Sequence, residues 1–369
     1  MAKALVVGGG VIGLLTARLL GEQGYQVELV ERGSLACEAS WAGGGIVSPL
    51  YPWRYSEAVG ALAGWSQGYY PALGDKLRRG TGIDPEVRCT GLYWLDLEDE
   101  DKALDWAAAL GKEMLRVDRQ KVMSRIPVLG GRFARALYMP DLANVRNPRL
   151  LQALQGALQV DHNISLVSGM SVDRLLVERG RVVGAKTSSG TVTADCVVLA
   201  AGAWSGELLQ TLGLNLPVEP VKGQMILYKQ EPDFLSAMVL AKGRYAIPRK
   251  DGHILVGSTL EHVGFDKTPT DEALASLKAS AEELLPGLAD APIVGHWAGL
   301  RPGSPEGVPF IGEVPEYPGL WLNCGHYRNG LVLAPASCEL LKNLMLGEEP
   351  IVDPTPYSPA GRLGWRPIA

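Results

Sequence analysis

The chain has 369 residues, 47% hydrophobic and 20% charged, the proportions of a folded globular protein with core enough for two domains. Its net charge of −5 argues against a nucleic-acid scaffold, which needs positive potential facing phosphates. No apolar run reaches the roughly 18–20 residues of a membrane span, and the five scattered cysteines lack C-x-x-C spacing, so a cytoplasmic protein with reduced thiols is expected.

In chain order, Ala4–Val7 reads as a buried parallel strand and runs straight into the turn Gly8-Gly9-Gly10-Val11-Ile12-Gly13. A helical pattern follows to Gly21, then a second apolar strand, Gln26–Val30, ending on Glu31. Each residue type has a physical task. Gly8 permits the tight turn, Gly10 lets backbone approach a pyrophosphate, and Gly13 lets the helix lie close to the strand. The pyrophosphate would sit on the free N–H groups and positive dipole end of the helix, with Glu31 accepting from ribose hydroxyls. The stretch predicts a dinucleotide site and leaves the choice between NAD and FAD open. The alternatives are a structural βαβ unit and a secretory signal peptide; the signal peptide is rejected, since small-residue cleavage signals after Leu20 are poor and cleavage would discard a complete phosphate loop.

The segment Ser40–Pro49, with glycines at 43, 44 and 45 among apolar residues, suits backbone passing against something large and flat. An amphipathic helix is predicted over Glu57–Leu73. From about Asp84 to Asn147 the βαβ rhythm lapses: strand Gly91–Asp96, helices Asp99–Leu110 and Asp118–Arg125, and a strand at Ala136–Tyr138. Asn147–Gln159 is helical with Pro148 in its first turn. Val172–Val177 and Arg181–Thr187 form a hairpin, and Asp195–Ser205 returns to the strand–glycine–helix texture. Strands follow at Val218–Tyr228, Arg244–Pro248 and His253–Ser258, then a helix, Asp271–Leu285, capped by Thr270. Ile293–Leu300 and Trp321–Asn323 are strands, Leu331–Leu346 is a helix, and the proline-rich tail after Pro350 is irregular. The expected fold is α/β: a Rossmann-like dinucleotide domain (1–84, 148–217 and 300–369) interleaved with an α+β antiparallel-sheet domain (85–147 and 218–299).

Arg301 and Arg328 each lie beside glycine at a strand end or turn, where a guanidinium can grip a carboxylate by two parallel hydrogen bonds. Tyr245 could add a hydroxyl to the same anion. His326 invites a general-base reading but is as readily a packing residue, while Met225 and Leu260 read as core. No G-x-S-x-G elbow occurs, and five histidines without ligand spacing give no metal site.

The combination of GGGVIG with Glu31, SWAGGGIVSP, VVLAAGAWS, GLRPGSPEGVPFIG and GHYRNGLVLAPA resembles the D-amino-acid oxidase family of flavoproteins, over about Ala4 to Leu346, and its glycine-oxidising members in particular. The resemblance implies a FAD domain interrupted by a substrate domain. It places FAD on Gly8, Gly10, Val11, Ile12, Gly13, Glu31, Arg32, Ala39, Ser40, Gly44, Gly45, Ile46 and Val172. It places the flavin ring on His326, Tyr327, Arg328, Asn329, Gly330, Leu331 and Val332, with the helix dipole after Gly330 facing the ring. Arg301 would bind the substrate carboxylate, supported by Tyr245, and Arg328 would be the second substrate-site arginine. No cysteine lies at Arg301–Gly303, so the implied FAD is non-covalent. The implied reaction is hydride transfer from glycine, sarcosine or a small D-amino acid to flavin N5. Molecular oxygen then reoxidises the flavin, giving hydrogen peroxide, with glyoxylate and ammonia from the imine. The resemblance also implies a homo-oligomer, a tetramer or dimer, and coupling to thiazole synthesis in thiamine biosynthesis. Two other readings are a D-amino-acid dehydrogenase with a non-oxygen acceptor and a non-catalytic nucleotide-binding module.

Overall fold

The computed structural model describes residues 1–365, so the last four residues of the predicted third dinucleotide-domain piece and of the irregular tail lie outside it. Strand β1 (Lys3–Val7) leads into helix α1 (Val11–Glu22) and strand β2 (Gln26–Glu31). β1 sits inside a six-stranded sheet in the order Phe310–Glu313, Leu320–Cys324, Cys196–Leu199, β1, β2, Ile164–Ser168. All its pairings are parallel except that of the Phe310–Glu313 edge.

β1 is a continuous apolar run because both faces of this sheet are covered. Ala4 and Val6 point into a core with α1 and the helix Gly330–Leu346; Leu5 and Val7 point the other way, against Leu175, Val182 and Ala185 of the hairpin sheet. α1 can lie this close only because residue 13 has no side chain. A Cβ there would stand 1.8 Å from the Gly8 carbonyl oxygen. Gly8 itself has φ +112°, and a Cβ on it would meet the Ala200 carbonyl oxygen at 2.4 Å.

An eight-stranded sheet runs Ile293–Gly303, Glu219–Lys229, His253–Gly257, Arg244–Pro248, Met238–Ala241, Leu92–Leu95, Arg135–Met139, Leu115–Asp118. It is antiparallel except at one junction, Met238–Ala241 with Leu92–Leu95, which is parallel and joins strands far apart in sequence. One face packs against helices Arg119–Arg125 and Asp271–Leu284 through Val122, Leu277 and Ala281. The other carries Met225, Tyr245 and Ile247 and packs against Ile46 of the triple-glycine segment. The space between the two large sheets lies along this second face.

Three elements differ from the sequence reading. The helix from Glu57 runs to Thr81, past Leu73 and through Pro71, held by buried Val59, Leu62, Tyr70 and Leu77. The strand from Ile293 continues to Gly303, so Arg301 lies within it, opposite Val221, rather than in a turn. Leu260 is 47% exposed and not a core residue, whereas Met225 is buried. Among the described residues no helix is long and apolar enough to cross a membrane.

Gly13→Ala tests the α1–β1 contact. The added methyl cannot be accommodated without moving the helix, and overpacking of this kind costs about 1–3 kcal/mol. The urea midpoint of the apoprotein is expected to fall accordingly; an unchanged midpoint would mean that α1 sits farther from β1.

Candidate active site

A cavity of about 470 Å³ runs between the two sheets. One end is formed by Val7, Gly8, the start of α1, Glu31, Arg32 and Val172; the middle by Ala39, Ser40 and Gly43–Ile46; the far end by Tyr245, Ser258, Arg301 and residues 326–332. Every predicted site residue except Gly13 lines it, and Gly13 serves the helix–strand contact described above.

At the first end the backbone of Gly10, Val11 and Ile12 borders the cavity. No side chain caps α1 at Gly10, and Ser40 Oγ accepts from the Val11 N–H at 3.0 Å. The Glu31 carboxylate accepts from the Gly9 N–H at 2.8 Å and the Gly33 N–H at 3.0 Å. It therefore shapes the turn as well as facing the cavity, and a carboxylate has lone pairs left for a ribose hydroxyl. Arg32 lies over the Trp204 ring, 3.7 Å from its centre, and Phe265 stacks on that ring at 5.5 Å. These aromatics were not singled out in the sequence, because nothing local to Trp204 or Phe265 says that the two meet.

In the middle, Gly44 presses its backbone against the eight-stranded sheet. A Cβ there would lie 3.1 Å from Ile247 and 3.2 Å from the Tyr245 hydroxyl. Gly45, at φ +83°, sits against the Val145 carbonyl. Asn147, a further lining residue missed in the sequence, donates to the Ser40 carbonyl at 2.7 Å and keeps its Oδ1 unpartnered.

At the far end Arg301 lies flat over Gly223, where a Cβ would be 2.2 Å from its guanidinium. It donates to the Ser258 hydroxyl at 2.8 Å and to the carbonyls of Thr259 at 3.2 Å and Lys222 at 3.3 Å. All three acceptors are neutral. Burial lowers its pKa, and the like charge of Arg328 works in the same direction. The Tyr245 hydroxyl faces this end with, among the described residues, only the Met225 sulfur, 4.0 Å away, as partner. Arg328 is exposed at the rim.

Behind Arg301, Lys222 is 1% exposed, with Glu261 at 3.7 Å and Asp266 at 3.6 Å. Gln224 donates to both Glu261 oxygens, at 3.0 and 3.3 Å. This network fixes the two segments that supply Arg301 with its acceptors. Burial holds the His326 imidazole down to about 3, so it is neutral, and its Nε2 has no partner among the described residues. A base that weak does not suit proton abstraction at neutral pH.

The residues fit FAD. The cavity is long and closed by backbone at glycine positions, Cβ atoms at Gly8 and Gly45 would collide with carbonyl oxygens, and polar atoms of Asn147, His326 and Asn329 stand unpartnered among its lining residues. Gly8–Ile12, Glu31 and Arg32 would hold the adenosine and pyrophosphate, and Gly44–Ile46 with residues 326–332 the ring.

The family model for FAD-dependent oxidoreductases (DAO) matches residues 3–344. The chain is 63% identical over 362 residues to the glycine oxidase of Pseudomonas putida, covering 98% of this chain and 99% of that one. It is 32% identical to the bifunctional protein ThiO/ThiG of Nostoc, covering 96% of this chain and 54% of the larger protein. The crystal structure of glycine oxidase from Geobacillus kaustophilus superposes with a TM-score of 0.91 at 30% identity, covering 99% of this chain and 100% of that one. The chain belongs to the DAO family of FAD-dependent oxidoreductases, the family of the glycine oxidases that it resembles over nearly its whole length.

Proposed function

We propose that the chain oxidises the amine of glycine, and of sarcosine or small D-amino acids, with oxygen as acceptor, giving hydrogen peroxide, glyoxylate and ammonia. The observation that carries this reading is Arg301, a cation facing the cavity with only neutral partners. A substrate carboxylate would complete its coordination and gain charge-assisted hydrogen bonds in a partly desolvated site. Tyr245, across the same end, would donate its hydroxyl to that carboxylate. Bound non-covalently, FAD supplies a two-electron acceptor that takes hydride from the amine carbon and passes its electrons to oxygen.

The protein's own share of the rate is then orientation. Arg301, held over Gly223 and tied at three points, fixes one end of a two-carbon substrate, leaving its Cα–H little freedom. Glycine loses an amine proton to solvent before transfer, so no base need be built into the site, in keeping with the neutral His326. The crowding of Gly44, Tyr245 and Met225 favours small side chains on the substrate. The family resemblance of Arg328 makes it a second substrate contact. In the Nostoc relative a chain of this kind is part of a bifunctional ThiO/ThiG protein, which supports supply of the imine to thiazole synthesis; the family resemblance implies a homo-oligomer in the cytoplasm.

The decisive measurement is anaerobic mixing of the FAD-loaded enzyme with glycine: the yellow colour should bleach and return with peroxide when oxygen is admitted. Bleaching without peroxide, and turnover only with an artificial acceptor, would make the enzyme a dehydrogenase. Arg301→Ala should raise KM for glycine by roughly 100-fold, the loss of two charged hydrogen bonds at about 1.5 kcal/mol each, with FAD still bound. Ser258→Ala removes one neutral support of Arg301 and should raise KM by roughly tenfold or less, with kcat largely kept. An unchanged KM in the Arg301 variant would move the carboxylate site elsewhere.

A further inference from the structure

Arg249 is a buried cation that the reaction does not use. Only 6% of it is exposed, and it does not line the cavity. One Nη donates to the Val145 carbonyl at 2.9 Å and the Asn144 Oδ1 at 3.1 Å; the other donates to the Gly44 carbonyl at 2.7 Å. No acceptor is charged. Burial, its largest influence, brings the pKa down to about 10, and the nearby Arg146 adds to the effect. Arg146 is itself paired with Glu86 and Asp251. Glu86 and Asp251 offset part of this lowering from a distance, but none of the acceptors that touch the guanidinium is a carboxylate, and an apolar side chain would fill a core at lower cost.

What the guanidinium joins explains its presence. Tyr245, Ile247 and Arg249 alternate along the strand Arg244–Pro248 and the residue after it, and alternate residues of a strand share a face. On that face Gly44 touches Tyr245 and Ile247, and its carbonyl is held by Arg249. The neighbouring Gly45 carbonyl accepts from the Val145 N–H at 2.8 Å, and Ile46 bridges Asn144. The planar fork of one arginine thus bolts the triple-glycine segment and the 144–145 segment to the strand that carries Tyr245.

We propose that Arg249 is a positioning residue: it sets the gap between the Gly44–Ile46 backbone and Tyr245, and so the space in which the flavin ring and the substrate meet. The proposal rests on the reading above, in which Gly44–Ile46 lies along the ring and Tyr245 faces the substrate. Lysine keeps the charge but has no fork, and glutamine keeps one donor group but no charge; neither can span the Gly44 and Val145 carbonyls as arginine does.

The test compares Arg249→Lys and Arg249→Gln with wild type by FAD titration of the apoprotein, thermal unfolding, and the limiting rate of anaerobic flavin reduction by glycine. Both variants should weaken FAD binding about tenfold or more, the loss of one or two hydrogen bonds from a charged donor. They should also slow the limiting reduction rate while KM for glycine stays within about threefold, the reverse of the Arg301→Ala pattern, because the carboxylate grip is untouched. Variants that lose thermal stability yet keep wild-type FAD affinity and reduction rate would overturn the proposal and leave Arg249 as a core residue. Should both fail to fold, Asn144→Ala removes one acceptor of Arg249, and Thr90→Val, which removes only the Asn144–Thr90 bond, serves as its control; FAD affinity several-fold weaker in Asn144→Ala than in Thr90→Val supports the proposal and equal affinity overturns it. If wild-type enzyme binds FAD but is not reduced by glycine, the substrate reading fails while the FAD titration still decides the role of Arg249.

Discussion

The structure depends on a seam where backbone meets backbone. Gly43–Ile46 passes between the eight-stranded sheet and the 144–145 segment so closely that a Cβ on Gly44 would lie 3.1 Å from Ile247 and one on Gly45 2.0 Å from the Val145 carbonyl oxygen. Interiors are packed near the density of organic crystals, so a methyl in such a contact is absorbed only by moving one partner. Here moving a partner would move a cavity wall. The same logic holds at the other end, where Gly8 and Gly13 let α1 sit against β1. Glycines at these contacts let a long, flat ligand lie against main chain on several sides.

The second organising fact is charge. Arg301 and Arg249 are both deeply placed cations surrounded by neutral acceptors, yet they face opposite ways. Arg301 borders the cavity, so an incoming anion can recover part of its desolvation cost, and binding is favoured by the cost already incurred on folding. Arg249 is sealed off and satisfied by carbonyls, so its charge favours no ligand directly and its fork holds geometry instead. The Lys222–Glu261–Asp266 group belongs to the same economy of position. Its carboxylates neutralise Lys222 rather than Arg301, leaving the cavity-facing cation free for substrate.

How much of this was legible in the sequence follows from the range of the interactions. The glycine turn, β1, β2 and Glu31 could be read because they lie within about thirty residues and each obeys a local rule. Thr270 as a helix cap was legible for the same reason, and its side chain accepts from the Ala273 N–H at 3.3 Å. Arg301 and Tyr245 stood out as carboxylate-binding candidates by residue type and position, and the family resemblance sharpened that reading and added the 326–332 turn; only the fold brings them to one end of the cavity. Ser258, Asn147 and Arg249 were missed because their roles exist only through partners far away: 43 residues for Ser258–Arg301 and 205 for Arg249–Gly44. Leu260 shows the converse error. Its apolar side chain suggested burial, but it sits in the segment after Ser258, whose backbone rather than its side chain does the holding.

That segment also shows why neither sheet is sufficient alone. Ser258 and Thr259 grip Arg301; seven to nine residues later Phe265 stacks on Trp204 beside Arg32, and Lys267 pairs with Glu38 at 2.8 Å. Residues 258–267 thus reach both the Arg301 end and the Arg32 end of one cavity. The dinucleotide sheet brings the glycine turn and the 326–332 cradle but nothing to hold a carboxylate. The eight-stranded sheet brings Arg301 and Tyr245 but no phosphate-binding turn. A two-carbon acid offers few atoms for recognition, so its orientation relative to the ring must come from the rigidity with which these two halves are joined. On this argument the contacts that join them, at Gly44, Gly45, Arg249 and residues 258–267, matter to the chemistry as much as the residues that touch the substrate.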